Sequence, residues 1–379
     1  MPLHTGVARF LAACHQRRSD ATPIWFMRQA GRCLAQYREL RQRYDILTMA
    51  KTPELCARVT LMPVEQLGVD AAVLYADIML PLEGMGISFE IEPEIGPIIH
   101  HPVRTMQDVE ALRVIAAEEA TPYVMEAIRL VCRELEGKQA VIGFSGAPFT
   151  LACYLIEGRP SRDYGLAKSL MYGQPEVWDA LMNKLAEVVS RYLLAQIDAG
   201  VDVVQLFDSW VGALGPSTYK RFVQPYTQRI FEAVKKTGTP SIHFGTGTAS
   251  LLELMAEAGG DIISVDWRID LDDAWARIGY ERGIQGNLDP TLLLTPWDVV
   301  EQGMLDVLRR AQNRPGHIFN LGHGVLAPTD PDVLRRLVDA VHEITARRER
   351  EGEDEEHNGN EHFPGRCHAD DLWFASNPG

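Results

Sequence analysis

The sequence contains no continuous apolar run of the roughly 18 residues that a membrane-spanning helix needs. Its N-terminus places a short apolar stretch before basic residues, which is the reverse of the order in a secretory signal, so we predict an amphipathic first helix there. The six cysteines, at positions 14, 33, 56, 132, 153 and 367, form no CxxC pair and no regular framework. These absences predict a cytoplasmic protein whose thiols are buried and reduced.

Common cofactor and catalytic motifs are also missing. No HExxH or HxxEH pattern suggests a catalytic metal, and Ser145, within FSGAP, does not lie in a GxSxG nucleophile elbow. GTG at 245–247 lacks the GxGxxG spacing of a dinucleotide-binding turn. The formal net charge of -15 argues against nucleic acid as a partner, because neutralising phosphates needs a basic surface. We therefore expect no cofactor, no metal, no nucleic acid partner and no membrane association.

The acidic residues are concentrated near the C-terminus. Residues 349–361, EREGEDEEHNGNE, are polar throughout and cannot bury a core. We predict one folded domain over residues 1–347, followed by an acidic, disordered extension over residues 348–379. Leu372, Trp373 and Phe374 could dock that extension onto the domain, but a mobile tail is the favoured interpretation.

After residue 20, short β-rich apolar runs alternate with longer helical patterns, such as 175–199 and 298–312. Eight strand–helix units predict an α/β fold, a single (β/α)8 TIM barrel with its active-site cleft at the C-terminal ends of the strands. An open doubly wound sheet is the alternative, although its usual Gly-rich turn is missing here. The predicted strands are 23–27, 71–75, 140–144, 203–207, 241–244, 262–265, 283–285 and 318–321.

One segment interrupts this alternation. Residues 84–102, GMGISFEIEPEIGPIIHHP, alternate apolar and acidic side chains between glycine and proline stops. That pattern predicts a β-hairpin inserted after the second barrel strand. His100 and His101, at its end, are expected to face solvent rather than to bind a ligand.

Polar side chains follow the predicted strands and would converge on one cleft of a barrel. Arg28 and Arg32 end the first apolar run, and they would repel each other on one helix face unless an anion, a carboxylate or a phosphate, lay between them. Structural explanations stay open for each residue. The arginines could be solvated or paired with a distant carboxylate, Asp77 could cap a loop, Tyr154 could belong to the core, and His323 could be an ordinary loop histidine.

Eight motifs lie at or just beyond the predicted strand ends: FMRQAGR, LYADIMLPLEGMG, FSGAPFTLACYLIEG, LFDSWVGALGP, HFGTG, VDWR, IQGNLDP and NLGHGV. Together and in this order they resemble the uroporphyrinogen decarboxylase family of haem biosynthesis, over residues 5–347. The resemblance implies a cofactor-independent, homodimeric enzyme on a (β/α)8 barrel. It would convert the four acetate arms of uroporphyrinogen III to methyl groups, giving coproporphyrinogen III and CO2.

The resemblance also implies roles for individual residues. Asp77, Arg28 and Tyr154 would be catalytic, and Asp77 would accept hydrogen bonds from the pyrrole N–H groups and stabilise a cationic ring intermediate. This role requires the Asp77 carboxylate to be ionised. Arg28 and Arg32 would grip substrate carboxylates, with Arg41 as a third cation. The other substrate-binding residues implied are Gln29, Ala30, Gly31, Phe207, Ser209 and His323, with Tyr154 also contacting the side arms.

The sequence departs from the family in two places. Residues 33–37, CLAQY, stand where YLPEY is usual, and the loop GRPS at 158–161 is poorer in glycine, which indicates a stiffer lid. Two other functions stay open. A zinc-dependent thiol or corrinoid methyltransferase on a related barrel would need one His and two Cys ligands, but Gly245 and the glycines beside His323 occupy the cysteine positions. A non-enzymatic porphyrinogen-binding protein would have no need of Asp77.

Overall fold

The computed structural model describes residues 5–92 and 95–357. Its strands are β1 Ala71–Val73, β2 Phe89–Glu92, β3 Gly96–Ile99, β4 Ala140–Gly146, β5 Val203–Asp208, β6 Ser241–Gly245, β7 Ile262–Ser264, β8 Gly283–Leu288 and β9 His317–Leu321. Seven of them form one parallel sheet in the order β1-β4-β5-β6-β7-β8-β9. β2 and β3 pair separately and antiparallel. Every residue of β4, β6, β8 and β9 is buried, as a parallel sheet covered by helices requires.

Helices connect the strands and cover the sheet. Several begin with proline in the first turn, where its missing N–H costs nothing, and α11 also ends at Gly200 in the left-handed region. The helices are α1 Gly6–Cys14, α2 Ala35–Arg41, α3 Ile46–Lys51, α4 Pro53–Leu67, α5 Leu80–Gly84, α6 Met106–Ala111, α7 Ala117–Ala120, α8 Pro122–Leu135, α9 Pro148–Glu157, α10 Gly165–Gly173, α11 Pro175–Ala199, α12 Pro216–Phe222, α13 Gln224–Lys235, α14 Leu252–Ala258, α15 Leu271–Ile278, α16 Trp297–Ala311 and α17 Pro331–His357, with 3₁₀ turns at Val211–Ala213 and Pro290–Leu294.

The segment 23–27 lies between β9 and β1 and closes the sheet into a barrel. On one side, the Phe319 N–H donates to the Pro23 carbonyl over 2.9 Å and the Trp25 N–H donates to the Phe319 carbonyl over 3.4 Å. On the other side, the Asp70 N–H donates to the Ile24 carbonyl over 2.9 Å. The barrel prediction is therefore confirmed, but the first predicted strand is wrong as a regular strand, since it forms only an isolated bridge at Ile24.

The buried Asp70 carboxylate explains why this segment is not a regular strand. It accepts the Ile24 N–H over 2.8 Å, which removes that donor from any strand ladder, and Pro23 has no N–H to offer. The same carboxylate accepts a hydrogen bond from Arg9 of α1 over 3.1 Å and lies 2.7 Å from Nε2 of His342 on α17. Asp70 thus ties the first and last helices to the closing segment.

Most other predicted elements agree with the structure. The helical pattern at 175–199 is α11, the pattern at 298–312 is α16 displaced by one residue, and the amphipathic N-terminal helix is α1. The predicted hairpin is β2–β3, in which Phe89 pairs with Ile99, and His100 and His101 are exposed. Among the described cysteines, Cys132 is half-buried and the rest are buried.

The C-terminal prediction is tested only in part. α17 continues to His357, so the extension predicted to be disordered from residue 348 begins as helix. Residues 358–379, which include Cys367 and Leu372–Trp373–Phe374, lie outside the described residues, and their disorder stays a prediction. None of the helices that the structure describes is both long and apolar enough to cross a membrane.

Candidate active site

A cavity of about 420 Å³ lies at the C-terminal ends of the barrel strands. Its wall combines two arginines and one carboxylate with aromatic, aliphatic and small side chains. Residues that line it include Trp25, Met27, Arg28, Ala30, Gly31, Arg32, Tyr37, Tyr75, Asp77, Pro97, Phe144, Tyr154, Phe207, Ser209, Phe244, His323 and Gly324. Segments from across the barrel meet in this one space, as its architecture predicts.

Two features direct the Arg28 side chain into the cavity: its own uncommon backbone conformation and the space left by Gly324. Its φ of 59° lies in the left-handed region. The preceding Met27 is fixed on both sides, since its N–H donates to Oδ1 of Asn320 over 3.2 Å and its carbonyl accepts the Val325 N–H over 2.8 Å. A Cβ atom on Gly324 would lie 2.4 Å from Cδ of Arg28. Gly324 therefore leaves the space that the Arg28 side chain occupies.

Arg32 lies on an exposed turn that is fixed from α2. Nη1 of Arg38 donates to the backbone carbonyl of Arg32 over 2.9 Å and to that of Cys33 over 2.8 Å. These bonds hold the backbone, and no described residue forms a hydrogen bond or ion pair with the Arg32 guanidinium. Its side chain, which lines the cavity, can therefore bind an anion there. The departure of residues 33–37 from the family motif does not remove this support.

Asp77 supplies the single carboxylate among the described residues that line the cavity. Its Oδ1 accepts the Met79 N–H over 2.8 Å, so it also caps the turn that leads into α5, as its structural explanation supposed. Burial raises the pKa of the Asp77 carboxyl, while the Met79 N–H and the Arg28 guanidinium lower it. The net direction is upward, so this environment favours the ionised form less than water does.

Two further polar side chains of the wall, Tyr154 and His323, are neutral near pH 7. Burial, helped by the charge of Asp77, raises the pKa of Tyr154, so its phenol stays protonated at neutral pH. Burial, together with the nearby Arg28 cation, lowers the pKa of His323 to about 4. The imidazole is therefore neutral near pH 7, where it can donate one hydrogen bond and accept another.

Aromatic side chains shape the rest of the cavity. The Phe207 ring meets Phe144 and Phe244 edge to face, with centroid distances of 5.4 Å and 5.7 Å. Elsewhere on the wall, the hydroxyls of Tyr37 and Tyr75 lie 3.0 Å apart. This arrangement gives a large apolar surface for a flat ligand, with polar groups at only a few points.

The structure brings most of the predicted site residues together. Those on the cavity wall are Arg28, Ala30, Gly31, Arg32, Asp77, Tyr154, Phe207, Ser209 and His323. Two lie elsewhere. Gln29 is fully buried, and its amide bridges the Ala71 carbonyl over 2.9 Å and the Phe26 N–H over 3.0 Å. Arg41 is half-buried and donates to the Tyr44 carbonyl over 2.7 Å.

Sequence reasoning missed part of the wall. Gly324 adjoins His323 in NLGHGV, and Tyr75 lies two residues before Asp77, so proximity to a predicted residue was the available signal. Tyr37 enters the cavity from α2, which the strand-end argument does not cover. Pro97 comes from the inserted hairpin, which no barrel rule places over the cleft.

The described residues contain no group of three or more His, Cys, Asp or Glu side chains placed to hold a metal ion. His243, the zinc ligand of the methyltransferase alternative, is fully buried away from the cavity wall. Its ring packs 5.0 Å from the Phe231 ring, and its Nδ1 lies 3.3 Å from the Met255 carbonyl oxygen. The methyltransferase interpretation is not favoured.

Comparison with known proteins adds independent findings. The family profile described as uroporphyrinogen decarboxylase matches residues 5–344. Two proteins of that name, from Carboxydothermus hydrogenoformans and Sorangium cellulosum, are 53% and 54% identical to this chain, with 89% of this chain and 96% of each relative covered. A solved methyltransferase from Methanosarcina mazei superposes with a TM-score of 0.74 at 23% identity, covering 90% of this chain and 99% of that one. At this identity the structural similarity shows the fold alone.

Proposed function

The chain belongs to the uroporphyrinogen decarboxylase family, and from that premise we propose that it converts uroporphyrinogen III to coproporphyrinogen III by removing CO2 from the four acetate arms. One observation carries the proposal at the level of the site: Asp77, the single carboxylate among the described residues that line the cavity, shares that space with Arg28 and Arg32. The substrate has the complementary chemistry. Its eight carboxylates suit the guanidinium groups, and its central pyrrole N–H groups suit a carboxylate acceptor.

Polar side chains bind the carboxylate arms at the edge of the substrate, and aromatic side chains contact its macrocycle. Arg28 and Arg32 hold arm carboxylates through paired N–H donors, which fixes orientation as well as charge. The neutral imidazole of His323 and the hydroxyl of Ser209 add hydrogen bonds to other arms. The aromatic wall around Phe207 covers the faces of the macrocycle. This division supports recognition of a ligand with a flat apolar centre and an anionic edge.

Decarboxylation needs a place for the electrons of the breaking C–C bond. Protonation of the ring carbon next to the one that bears the acetate arm makes the ring cationic and places part of the positive charge on the arm-bearing carbon. As CO2 leaves, the electron pair of the breaking bond forms a double bond between that carbon and the methylene carbon of the arm. A proton added to the resulting methylene carbon and loss of the first proton from the ring restore the pyrrole with a methyl group. Asp77 stabilises the cationic ring because its negative charge is already fixed beside it.

This role requires an ionised Asp77, whereas burial raises the pKa of that carboxyl. Pyrrole N–H groups of a bound substrate would donate to the charged form, and such hydrogen bonds lower a carboxyl pKa. Substrate binding and ionisation of Asp77 therefore favour each other. We propose that Tyr154, whose phenol keeps its proton, donates a hydrogen bond to the reacting arm, whereas the Arg28 guanidinium is too weak an acid to supply a proton.

The test is turnover of uroporphyrinogen III by the purified protein under anaerobic conditions without added metal, with products separated by their number of carboxylates. We expect stepwise loss of four carboxylates. Binding without turnover would instead indicate a porphyrinogen carrier. Activity that disappears after chelation and returns with zinc would overturn the cofactor-independent reaction.

Two further properties are proposed from the family premise. We propose a homodimer, which sedimentation at micromolar concentration would show as twice the 42.3 kDa chain mass. A single-chain mass would contradict it. We also propose a cytoplasmic location, because the described cysteines are free thiols, which persist in a reducing compartment.

A further inference from the structure

Trp210 supports Tyr154 from behind. The two ring centroids are 4.2 Å apart with an angle of 40° between the ring planes, while Tyr154 lines the cavity and Trp210 is not among the described lining residues. The indole also packs against Tyr164, with a centroid distance of 5.0 Å. The phenol ring of Tyr154 therefore packs against an indole whose own position is also supported by the Tyr164 ring.

The backbone of Trp210 is tied to the helix that carries Tyr154. Thr150 lies one turn before Tyr154 on α9, and its Oγ1 accepts the Trp210 N–H over 3.4 Å. The same hydroxyl donates to Oδ1 of Asp208 over 3.3 Å. Trp210 is thus attached to α9 twice, through its N–H to Thr150 and through its ring to Tyr154.

Asp208 anchors this arrangement to the barrel. It is fully buried at the end of β5, directly before Ser209 of the cavity wall. Its Oδ2 lies 4.0 Å from Nε2 of His243 on β6, which is also fully buried. Because the Thr150 hydroxyl donates to Oδ1 of Asp208, its hydrogen has one preferred direction, and a lone pair of its oxygen is left for the Trp210 N–H.

We propose that Thr150, Asp208 and Trp210 are positioning residues for Tyr154, setting the direction of its phenol hydroxyl before substrate binds. The proposal rests on the proposed decarboxylation, in which Tyr154 contacts the reacting arm. Such pre-positioning matters because small displacements of a reacting group lower the rate strongly. It assigns a functional role to a buried threonine hydroxyl that does not touch the cavity.

Two substitutions at Thr150 separate its hydroxyl from its shape. Thr150→Val removes the hydroxyl and keeps the branched side chain, so we expect kcat to fall about tenfold while KM changes little, because the arginines are untouched. Thr150→Ser restores the hydroxyl and should stay within about twofold of the wild-type rate. Thr121→Val is the matched control, since Thr121 is also fully buried and donates to the Ala117 carbonyl over 3.0 Å. It should retain wild-type kcat.

A double-mutant cycle tests whether Thr150 acts through Tyr154. In a Tyr154→Phe background, Thr150→Val should lower kcat by less than about twofold further, because the hydroxyl that it positions is gone. Equal losses in both backgrounds would overturn the proposal, as would wild-type kcat in Thr150→Val. If Thr150→Val does not fold, Trp210→Phe replaces it in the same cycle and should show the same dependence on Tyr154.

A measurement that does not depend on turnover, the fluorescence of Trp210, tests the positioning role separately from the proposed decarboxylase function. The fluorescence of Trp210, obtained as the difference between wild type and Trp210→Phe, should change in Thr150→Val and stay unchanged in Thr121→Val. An inactive wild-type protein would contradict the decarboxylase proposal, whereas an unchanged Trp210 signal in Thr150→Val would overturn the positioning role.

Discussion

At the scale of single residues, the cavity is defined by an imbalance of charge. Arg28 and Arg32 bring two cations to a wall on which Asp77 is the single carboxylate among the described residues. The chain as a whole carries a net charge of -15, so these cations are a local feature of the site. A polyanionic substrate therefore depends on them for its attraction to the cavity.

Removing either arginine should weaken turnover. A hydrogen bond to a charged group contributes about 1.5–3 kcal/mol, so Arg28→Ala and Arg32→Ala should each lower kcat/KM about tenfold or more. Arg→Lys should not restore the full rate, because lysine cannot form the paired contact. Arg191→Ala is a suitable control, since Arg191 is exposed and bonds only to Glu187 among the contacts described for it. Wild-type kinetics in both alanine variants would mean that the arginines are ordinary surface residues.

Asp77 separates catalysis from binding. Asp77→Asn keeps the size of the side chain and an oxygen for the Met79 N–H but removes the charge, so kcat should fall about 10²–10³-fold while the protein still folds. Asp77→Glu displaces the charge without removing it and should keep more activity than Asp77→Asn. Single-turnover rates measured beside melting curves decide the matter. A stable Asp77→Asn protein with a near-normal rate would end the electrostatic explanation.

The pKa of Asp77 also predicts how stability depends on pH. Because burial raises this pKa in the folded state, the favourable contribution of the protonated carboxyl is complete below the unfolded-state pKa and is lost as pH rises through the folded-state pKa. At neutral pH, Asp77→Asn removes a buried charge and should melt no lower than the wild type. At acidic pH, the melting temperatures of the two proteins should converge or reverse. Lower stability of the variant at neutral pH would show that the stronger bond from a charged oxygen to the Met79 N–H outweighs the cost of burying the charge.

A sequence motif predicts which residues lie near the site, but it does not predict which of their side chains point into the cavity. Arg28 and Arg32 point to the cavity, but Gln29 between them is turned inward to pair with backbone groups of Phe26 and Ala71. A contiguous motif cannot reveal this alternation, because it depends on the left-handed conformation of Arg28. The position of Arg41 was likewise not predictable from its motif, because its side chain bonds to the Tyr44 carbonyl in the turn after α2.

At the scale of elements, apolar runs predict the strands well where hydrogen bonding follows the sheet. β4, β5 and β6 each include their predicted range and extend beyond it towards the cavity. The exception is the segment 23–27, where the Asp70 side chain takes the Ile24 N–H in place of a strand partner. A side chain 46 positions away in sequence decides this element, so no local pattern could have indicated it.

Asp70 should accordingly be important for stability and irrelevant to chemistry. Asp70→Ala leaves the Ile24 N–H without its acceptor and removes one of the two carboxylates that Arg9 bonds, the other being Asp20. Leaving a buried donor unsatisfied costs about 1–3 kcal/mol, so we expect a loss of that size. The free energy of unfolding from urea denaturation would measure this, with kcat per folded molecule unchanged. Asp332→Ala, which breaks an exposed pair with Arg335, is the control and should change stability by less than about 1 kcal/mol. A loss at Asp70 no larger than at Asp332 would refute its closing role.

At the scale of the whole molecule, the last helix, α17, packs on the outside of the barrel and contacts the chain just before the closing segment 23–27. α17 packs against α4 and buries Leu334, Leu337 and Val341 fully. Near its middle, Oγ1 of Thr345 accepts the Thr22 N–H over 3.0 Å. Stability of the barrel therefore depends on α17 as far as Thr345.

This boundary predicts different results for two truncations. Removing residues 351–379 leaves every buried contact described for α17 in place, so the melting temperature should change by no more than a few degrees and kcat should be unchanged. Removing residues 341–379 deletes Val341, the contact of His342 with Asp70 and the Thr345–Thr22 bond, so it should destabilise the protein strongly or prevent folding. Thermal melting and activity assays of the two proteins provide the comparison. A large drop in melting temperature for the shorter deletion would instead mean that Leu372–Trp373–Phe374 packs on the barrel.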